Sequence, residues 1–519
     1  MGQKRAGWDL ALELGLTRQL LTSVAEEMGT VLRKTAFSAN IKERRDYSCA
    51  VYDRHGETIA MGDHMPVHLG AMPLSVAEAI RSFQLERGDV VILNDPFRGG
   101  THLPDITAVS GVFLRGEHQP EFYVASRAHH ADVGGMSPGS MPLASEIYQE
   151  GIRIPPVRLI HRGKADEALL NLILSNVRTP EERRGDLMAQ CMSLKRGEDR
   201  LLALVRSQGR APLRRNTQAL LDYSARIMRA ELRNLPRGRF LFEDSLDGGI
   251  RIRVAITVQK DGVLVDFTGS SPQSQAPVNA NYAIALAATM YVFRCLICED
   301  VPFTSGLMRP IRVIAPEGSV VNARPPAAMA AGNVETSQRI TDVLLGALAQ
   351  AAPDRIPAAS SGTMSNCSFG GLDPRTQRPF AHYETIAGGM GASAVGPGTS
   401  GTHTHMTNSW NTPVEAFEHL YPVRIRRYSL RRGSGGDGQH RGGDGIIREF
   451  EFLSPAEFTL LSDRREKGPY GLSRGEPGQT AAAFHNDREI PGRARFAVAA
   501  GDRVRIETPG GGGFGKLRD

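Results

Sequence analysis

The chain has 519 residues, 41% of them hydrophobic and 23% charged, which is the composition of an ordinary soluble globular protein of about three domains. Its 62 basic and 56 acidic residues leave a net charge of +6, but without long basic blocks and with only 6% aromatic residues they argue against nucleic-acid binding. No apolar run reaches the roughly 20 residues of a membrane span, and neither a signal peptide nor a paired set of cysteines is indicated, so we expect a cytoplasmic protein.

The first predicted element is an amphipathic helix over residues 17–38, where apolar side chains recur at helical spacing. It leads into a polar segment, residues 40–46, that carries Glu43 and Asp46. Taken alone, Glu43 is best interpreted as a surface ion-pair partner of its basic neighbours. A loop then places His64 and His68 four residues apart with a proline between them, where they either line one cavity and contact substrate or have a structural role.

Residues 94–135 hold the densest group of ionisable side chains. A buried strand is predicted over residues 88–93, and the loop after it carries His102 and Asp105. Residues three apart on an extended strand point to opposite faces. Pro104 favours a turn at this point, which can fold the imidazole and the carboxylate toward each other.

A second predicted strand, residues 121–126, is followed by His129 and His130. If the two strands are neighbours, their loops converge. Neutral imidazole together with carboxylate suits Mn, Zn or Fe, and seven of the fourteen histidines lie between His55 and His130. The sequence therefore predicts a divalent metal site on loops, whose removal would alter stability little. The alternative is a set of hydrogen-bonded histidines beside turn-forming aspartates.

Beyond this region, helices alternate with strands. Glycine-rich stretches at 388–391, 433–436 and 508–515 lack the strand-loop-helix context of phosphate loops, so we expect them to allow close backbone approach. Asn333 and Glu335 precede a predicted helix, whose N-terminus could bind an anion, or Asn333 or Thr336 could cap it. The remaining predicted elements are helices at 166–176, from Pro180 after an N-cap at Thr179, at 218–232 and at 283–298; a basic, proline-bearing linker at 209–215; strands at 250–258 and 263–267; and a β-rich region from 446 onward.

The predicted fold class is mixed α/β (α+β) and multi-domain. We expect an N-terminal α/β metal-site domain at 1–236, a central α+β domain at 237–352 and a β-rich C-terminal domain at 353–519.

Several long strings resemble one family. They match the B component of the ATP-dependent hydantoinases and 5-oxoprolinases, which is similar to the α component of acetone carboxylase. The matching strings are NDPFRGGTHLPDIT, SRAHHADVGGMSPGSMP, EGIRIPPVRL, NVRTPEERRGDL, AGNVETSQRITDVLLGALAQA, YETIAGGMGA, HTHMTNSWNTPVE, RYSLRRGSGGDGQHRGGDGIIRE and TPGGGGFG, and together they span essentially the whole chain.

The resemblance implies a site and a partner. In the acetone carboxylase relative a manganese ion is held by residues that correspond here to Glu43, His102, Asp105 and His129. Asp46 could replace Glu43, and His130 could replace His129. His102, Asp105 and His129 would be catalytic, and we expect His64, His68, Asn333 and Glu335 to contact substrate.

ATP would be bound by a separate hydantoinase A-type subunit, so this chain would be part of a hetero-oligomer. The implied activity is ATP-dependent hydrolysis of a cyclic amide. The alternatives are a component of an acetone- or acetophenone-type carboxylase, or a non-catalytic scaffold for the A-type subunit.

Overall fold

The computed structural model describes residues 2–62 and 64–517, with the side chains of the first helix described from Leu12 onward. The helices are α1 (Gly2–Thr35), α2 (Ala39–Lys42), α3 (Met72–Ser82), α4 (Glu167–Leu174), α5 (Pro180–Gln208), α6 (Arg210–Arg233), α7 (Tyr282–Cys295), α8 (Thr336–Ala351) and α9 (Val414–Leu420).

The strands of the first half of the chain are β1 (Tyr47–Asp53), β2 (Thr58–Met61), β3 (Val90–Leu93), β4 (Asp105–Val112), β5 (Phe122–His129), β6 (Val157–His161), β7 (Lys164–Ala165), β8 (Gly238–Leu246), β9 (Ile250–Val258) and β10 (Val263–Asp266). Those of the second half are β11 (Ile311–Ile314), β12 (Asn366–Asp373), β13 (Arg378–Glu384), β14 (Val423–Arg431), β15 (Gly445–Phe452), β16 (Ala456–Leu461), β17 (Ala482–His485), β18 (Arg488–Glu489), β19 (Arg493–Val498) and β20 (Arg503–Glu507).

An antiparallel sheet of seven strands, in the order β2-β1-β5-β4-β3-β6-β7, forms the N-terminal part. Its central strands are buried on both faces, because α1 and α5 pack on one side and α3 on the other. This double cover explains why β3 reads as a continuous apolar run rather than an alternating one.

A four-stranded sheet, β11-β10-β9-β8, follows, with β10 and β11 parallel and α8 packed on β8 and β9. The last part of the chain forms two antiparallel sheets, β13-β12-β16-β19 and β14-β15-β20-β17-β18, which share one core rich in phenylalanine. The predicted α+β, multi-domain class and the β-rich C-terminal region are confirmed. The three domain boundaries remain a prediction.

Two local predictions were wrong. Residues 209–215 are not a linker: Gly209 alone breaks the helix, with φ of +83°, and α6 begins at Arg210 with Pro212 in its first turn, where a missing N–H does no harm. Strand β4, which lies between β3 and β5, was not predicted from the sequence. The described residues contain no helix with the length and apolarity needed to cross a bilayer.

Candidate metal centre

Three buried side chains converge where one strand begins and its neighbour ends. β4 begins at Asp105, β5 ends at His129, and these two residues are partners in the antiparallel register. The turn before β4 brings His102 over the same point, and the Asp105 N–H donates to the His102 carbonyl at 3.2 Å. Asp105 Oδ1 lies 3.2 Å from His102 Nε2 and 3.4 Å from His129 Nδ1.

The spacing of these donors fits a divalent ion. Tetrahedral ligands about 2.1 Å from a zinc ion lie roughly 3.4 Å from one another, and one donor atom from each of the three residues lies within 4.8 Å of the others. Asp105 Oδ1 and His129 Nε2 are buried without a hydrogen-bond partner within the described chain. Buried polar atoms are rarely left unpaired, so a cation between them accounts for both.

The site lies inside the protein rather than on exposed loops. His102 and Asp105 are 0% exposed and His129 is 2% exposed. The expectation of loop-borne ligands with little influence on stability was therefore wrong, because the turn that carries them is covered by segments from distant parts of the chain. Replacing one of these residues can alter the packing as well as the ligand set.

The electrostatics hold the three residues in the forms that bind metals. Burial alone would raise the pKa of Asp105, but the neighbouring His102 and His68 outweigh it and hold that pKa well below its ordinary range, so the carboxyl is ionised. Burial lowers the pKa of His129, which keeps its imidazole neutral with a free lone pair.

Two of the residues predicted to contact substrate lie against this cluster. His68 Nε2 lies 3.4 Å from the second carboxylate oxygen of Asp105, and its Nδ1 lies 2.9 Å from Ser48 Oγ. The Asn333 side-chain amide lies 3.1 Å from His102 Nε2 and 3.2 Å from Asp105 Oδ2. Asn333 therefore does not cap α8, and its amide oxygen has no partner among the described residues.

The backbone around Ala330 orients His102. His102 Nδ1 lies 3.2 Å from the Ala330 carbonyl, an arrangement in which Nδ1–H donates and Nε2 is left to face Asp105. The N–H groups of Met329 and Ala330 both donate to one oxygen of Glu150, which is 0% exposed. Glu150 thus fixes the carbonyl that fixes the imidazole.

Glu150 should make stability depend on pH. Burial raises its pKa from 4.5 to about 8, although the two N–H donors act against this shift. Between these pH values the unfolded chain loses a proton that the folded chain keeps, so stability falls as pH rises, by at most about 1.4 kcal/mol per pH unit. Glu150→Gln removes this fall. We expect the melting temperature of the variant, relative to the unchanged protein, to rise steadily from pH 5 to pH 8 in scanning calorimetry; a constant difference would contradict the assignment.

The structure separates His129 from His130 by strand alternation. Consecutive residues at the end of β5 point to opposite faces, and His130 Nε2 lies 3.0 Å from Gln190 Oε1 on α5, away from Asp105. Burial lowers the pKa of His130 to about 4. The alternative that His130 replaces His129 beside Asp105 is not what the fold shows.

Three other predicted residues lie apart from the cluster. Glu43 caps the C-terminus of α2 and lines a surface groove, whereas Asp46 is 5% exposed and its carbonyl accepts the His129 N–H at 3.0 Å. His64 accepts from the Cys49 N–H and lines a separate cavity of about 510 Å³. Glu335 accepts from Met364 and Asn366 instead.

A second layer of side chains around His129 was not predicted from the sequence. The Tyr383 ring stacks on the His129 ring, with centroids 4.3 Å apart and 13° between the planes. Arg44 in turn lies over Tyr383 and donates to its carbonyl at 2.8 Å. Tyr383 is the first residue of a string that resembles the family, but a match of letters does not indicate which distant side chain a residue would contact.

The chain matches a known protein family over nearly its full length. Residues 11–517 match the family model described as hydantoinase B/oxoprolinase. The chain belongs to this family. The resemblance drawn from its motifs is thereby confirmed.

Similar sequences differ in how much of their length the chain covers. It is 42% identical to an uncharacterized protein of Methanocaldococcus jannaschii, over 95% of this chain and 88% of that protein. It is 36% identical to 5-oxoprolinase 1 of Arabidopsis thaliana, over 97% of this chain but only 42% of that protein. It is 29% identical to the putative B component of a D-/L-hydantoinase from a Pseudomonas species, over 95% and 88%. The chain thus spans less than half of the plant 5-oxoprolinase.

Two solved structures share the fold. An ATP-dependent caprolactamase from Pseudomonas jessenii is 28% identical, with a TM-score of 0.89 over 98% of this chain and 91% of that one. A nucleotide-free acetone carboxylase has a TM-score of 0.87 over 97% of this chain and 76% of that one, and at 17% identity it shows a common fold alone.

Proposed function

We propose that this chain is the metal-containing B-type component of an ATP-dependent cyclic-amide hydrolase. The observation that carries the proposal is the buried donor set of His102, Asp105 and His129, in a family whose named members are 5-oxoprolinases and a hydantoinase component. The caprolactam-hydrolysing neighbour, also ATP-dependent by name, points to the same substrate class.

In this proposal the chain completes ring opening. His102, Asp105 and His129 hold a divalent ion, with Asp46 as the fourth candidate ligand in place of Glu43. A divalent ion at this position supplies Lewis-acid polarisation of a carbonyl group and an acidified water. His68 and Asn333, which reach Asp105 from either side, position the substrate, and the burial of all five residues limits access of bulk water.

Activation by ATP is assigned to a separate A-type subunit. The glycine-rich loops of this chain pack on one another: a Cβ on Gly389 would lie 1.9 Å from the Gly443 carbonyl oxygen, and one on Gly510 would lie 2.0 Å from that of Ser434. These glycines therefore allow close backbone approach, as the sequence predicted, which leaves phosphate binding to the partner.

Isothermal titration calorimetry tests this division. The isolated chain should bind no Mg-ATP at micromolar concentrations, while the complex of this chain with its partner should bind it. Tight binding by the isolated chain would place the nucleotide site here and contradict the assignment of ATP to the partner.

The reaction itself is tested with the co-purified pair of proteins. We expect ATP-dependent release of the open-chain product from a hydantoin, 5-oxoproline or a simple lactam, without bicarbonate. Bicarbonate-dependent consumption of a ketone, with every cyclic amide inert, would replace the hydrolase by a carboxylase. Full activity in a complex lacking this chain would make it a scaffold.

A further inference from the structure

A basic groove opens on the surface beside the metal centre. Its volume is about 440 Å³, and it lies where α1 and α2 end and the segment 410–413 passes. The lining residues are Arg33, Lys34, Lys42, Glu43, Arg45, Trp410, Asn411 and Pro413. Four cations thus face a single acid.

The charges of this groove are not neutralised by the protein. Among the residues that the structure describes, none of Arg33, Lys34, Lys42 and Arg45 forms an ion pair with a carboxylate. Favourable contact with helix C-termini explains cations in the last turns of α1 and α2. It does not explain Arg45, which lies beyond both helices and still points into the same groove.

Arg45 and Trp410 form a platform in the groove. The guanidinium carbon of Arg45 lies 3.6 Å from the centroid of the Trp410 ring, and Trp410 remains 54% exposed. Arg44 and Asp46 on either side are buried, whereas Arg45 is turned outward by a backbone φ of +55°. An exposed indole beside several unpaired cations suits a ligand that carries both an anionic group and a planar or apolar ring.

The groove and the metal centre share one short segment of chain. The Trp410 N–H donates to the Arg44 carbonyl at 2.9 Å, and the His129 N–H donates to the Asp46 carbonyl at 3.0 Å. Residues 44–46 therefore connect the floor of the groove to the strand end that carries His129. A ligand held in the groove lies next to the backbone that supports the donor set.

We infer that this groove binds the phosphoryl group of the activated substrate, with Arg33, Lys34, Lys42 and Arg45 as its donors and Trp410 against its ring. The inference rests on the proposed function, because the activated species is the product of the ATP-dependent partner. It adds an anion site on this chain, outside the metal centre, that accepts a phosphorylated organic molecule.

Binding to the isolated full-length chain tests the site without requiring activity. The chain has two tryptophans, so Trp8→Phe leaves Trp410 as the reporter. Titration with inorganic phosphate should give a saturable change in Trp410 fluorescence, and calorimetry should show roughly tenfold weaker binding for Lys42→Ala and for Arg45→Ala, because each removes a charged donor. Glu43→Gln should tighten binding, since it removes the one acid.

A matched control removes equal charge elsewhere. Arg229→Ala and Arg233→Ala, on α6 and away from the groove, should leave phosphate binding unchanged. Absence of saturable binding, or equal loss in these control variants, would overturn the inference. Binding by the groove together with an inactive complex would instead refute the proposed function and leave the anion site in place.

Two further results separate the phosphorylated substrate from other occupants. Phenyl phosphate should bind roughly threefold or more tighter than inorganic phosphate, because its ring packs on Trp410. Equal or weaker binding would overturn the assignment to a substrate phosphoryl group in favour of a free-phosphate site. If Lys42→Ala and Arg45→Ala abolish association with the partner in size-exclusion chromatography and leave phosphate binding intact, the groove is a docking surface and the inference is wrong.

Discussion

Replacing His102 by alanine should separate the two halves of the proposed reaction. In the complex of this chain with its ATP-binding partner, we expect product formation to fall by roughly a hundredfold or more, the scale expected when a metal-activated nucleophile is lost. Part of the substrate-dependent ATP hydrolysis should remain, because the partner still activates the substrate. Phosphate release and product are measured in the same reaction.

The burial of His102 makes an intact complex the essential control. His102 is fully enclosed and contacts Ala330 and Asn333, so the variant must elute with its partner at the unchanged position in size-exclusion chromatography. Equal loss of both activities in an intact complex would show that the metal centre is needed for activation itself. The assignment of the two steps to two proteins would then be wrong.

Loss of Asp105 should empty the metal centre. The purified chain should contain about one divalent transition ion, and Asp105→Ala should contain almost none, because Asp105 is the one carboxylate that lies within 3.4 Å of both cluster imidazoles in the described chain. Elemental analysis by mass spectrometry measures the occupancy. Full occupancy in Asp105→Ala would remove the site.

Two acidic residues of the preceding segment provide a matched pair for the same measurement. Asp46→Asn should lower the metal content, since Asp46 is buried next to the end of β5. Glu43→Gln should keep it, since Glu43 lies in the groove. The reverse result would restore Glu43 as the ligand, as the family resemblance suggested.

The local part of the site could be predicted from the sequence. His102 and Asp105 are three residues apart with Pro104 between them, and a turn at that proline is a short-range property of the backbone. The apolar runs before each candidate ligand also identified strands β3 and β5 correctly, because buried strands are continuous and rich in β-branched residues.

The choice between adjacent residues required the sheet. His129 and His130 have the same chemistry, and only the register of β5 against β4 shows that His129 faces Asp105. A shift of one residue would exchange the two faces. Because β4 itself was not predicted, the sequence offered no basis for that register.

The remaining residues come together through long-range packing. Ser48, Asn333 and Tyr383 reach the centre from three separate parts of the chain. Periodicity and spacing describe one element at a time and do not predict which elements pack together. For the same reason Glu335, two residues from Asn333, was assigned to the substrate although its carboxylate faces Met364 and Asn366.

An anomalous difference map from crystals of the purified chain, recorded at the absorption edge of the metal that elemental analysis identifies, tests the central claim most directly. The account predicts one strong peak, about 2.0–2.2 Å from Nε2 of His102, Oδ1 of Asp105 and a ring nitrogen of His129. A peak in the groove beside Glu43, at His130, or nowhere in the chain would contradict it.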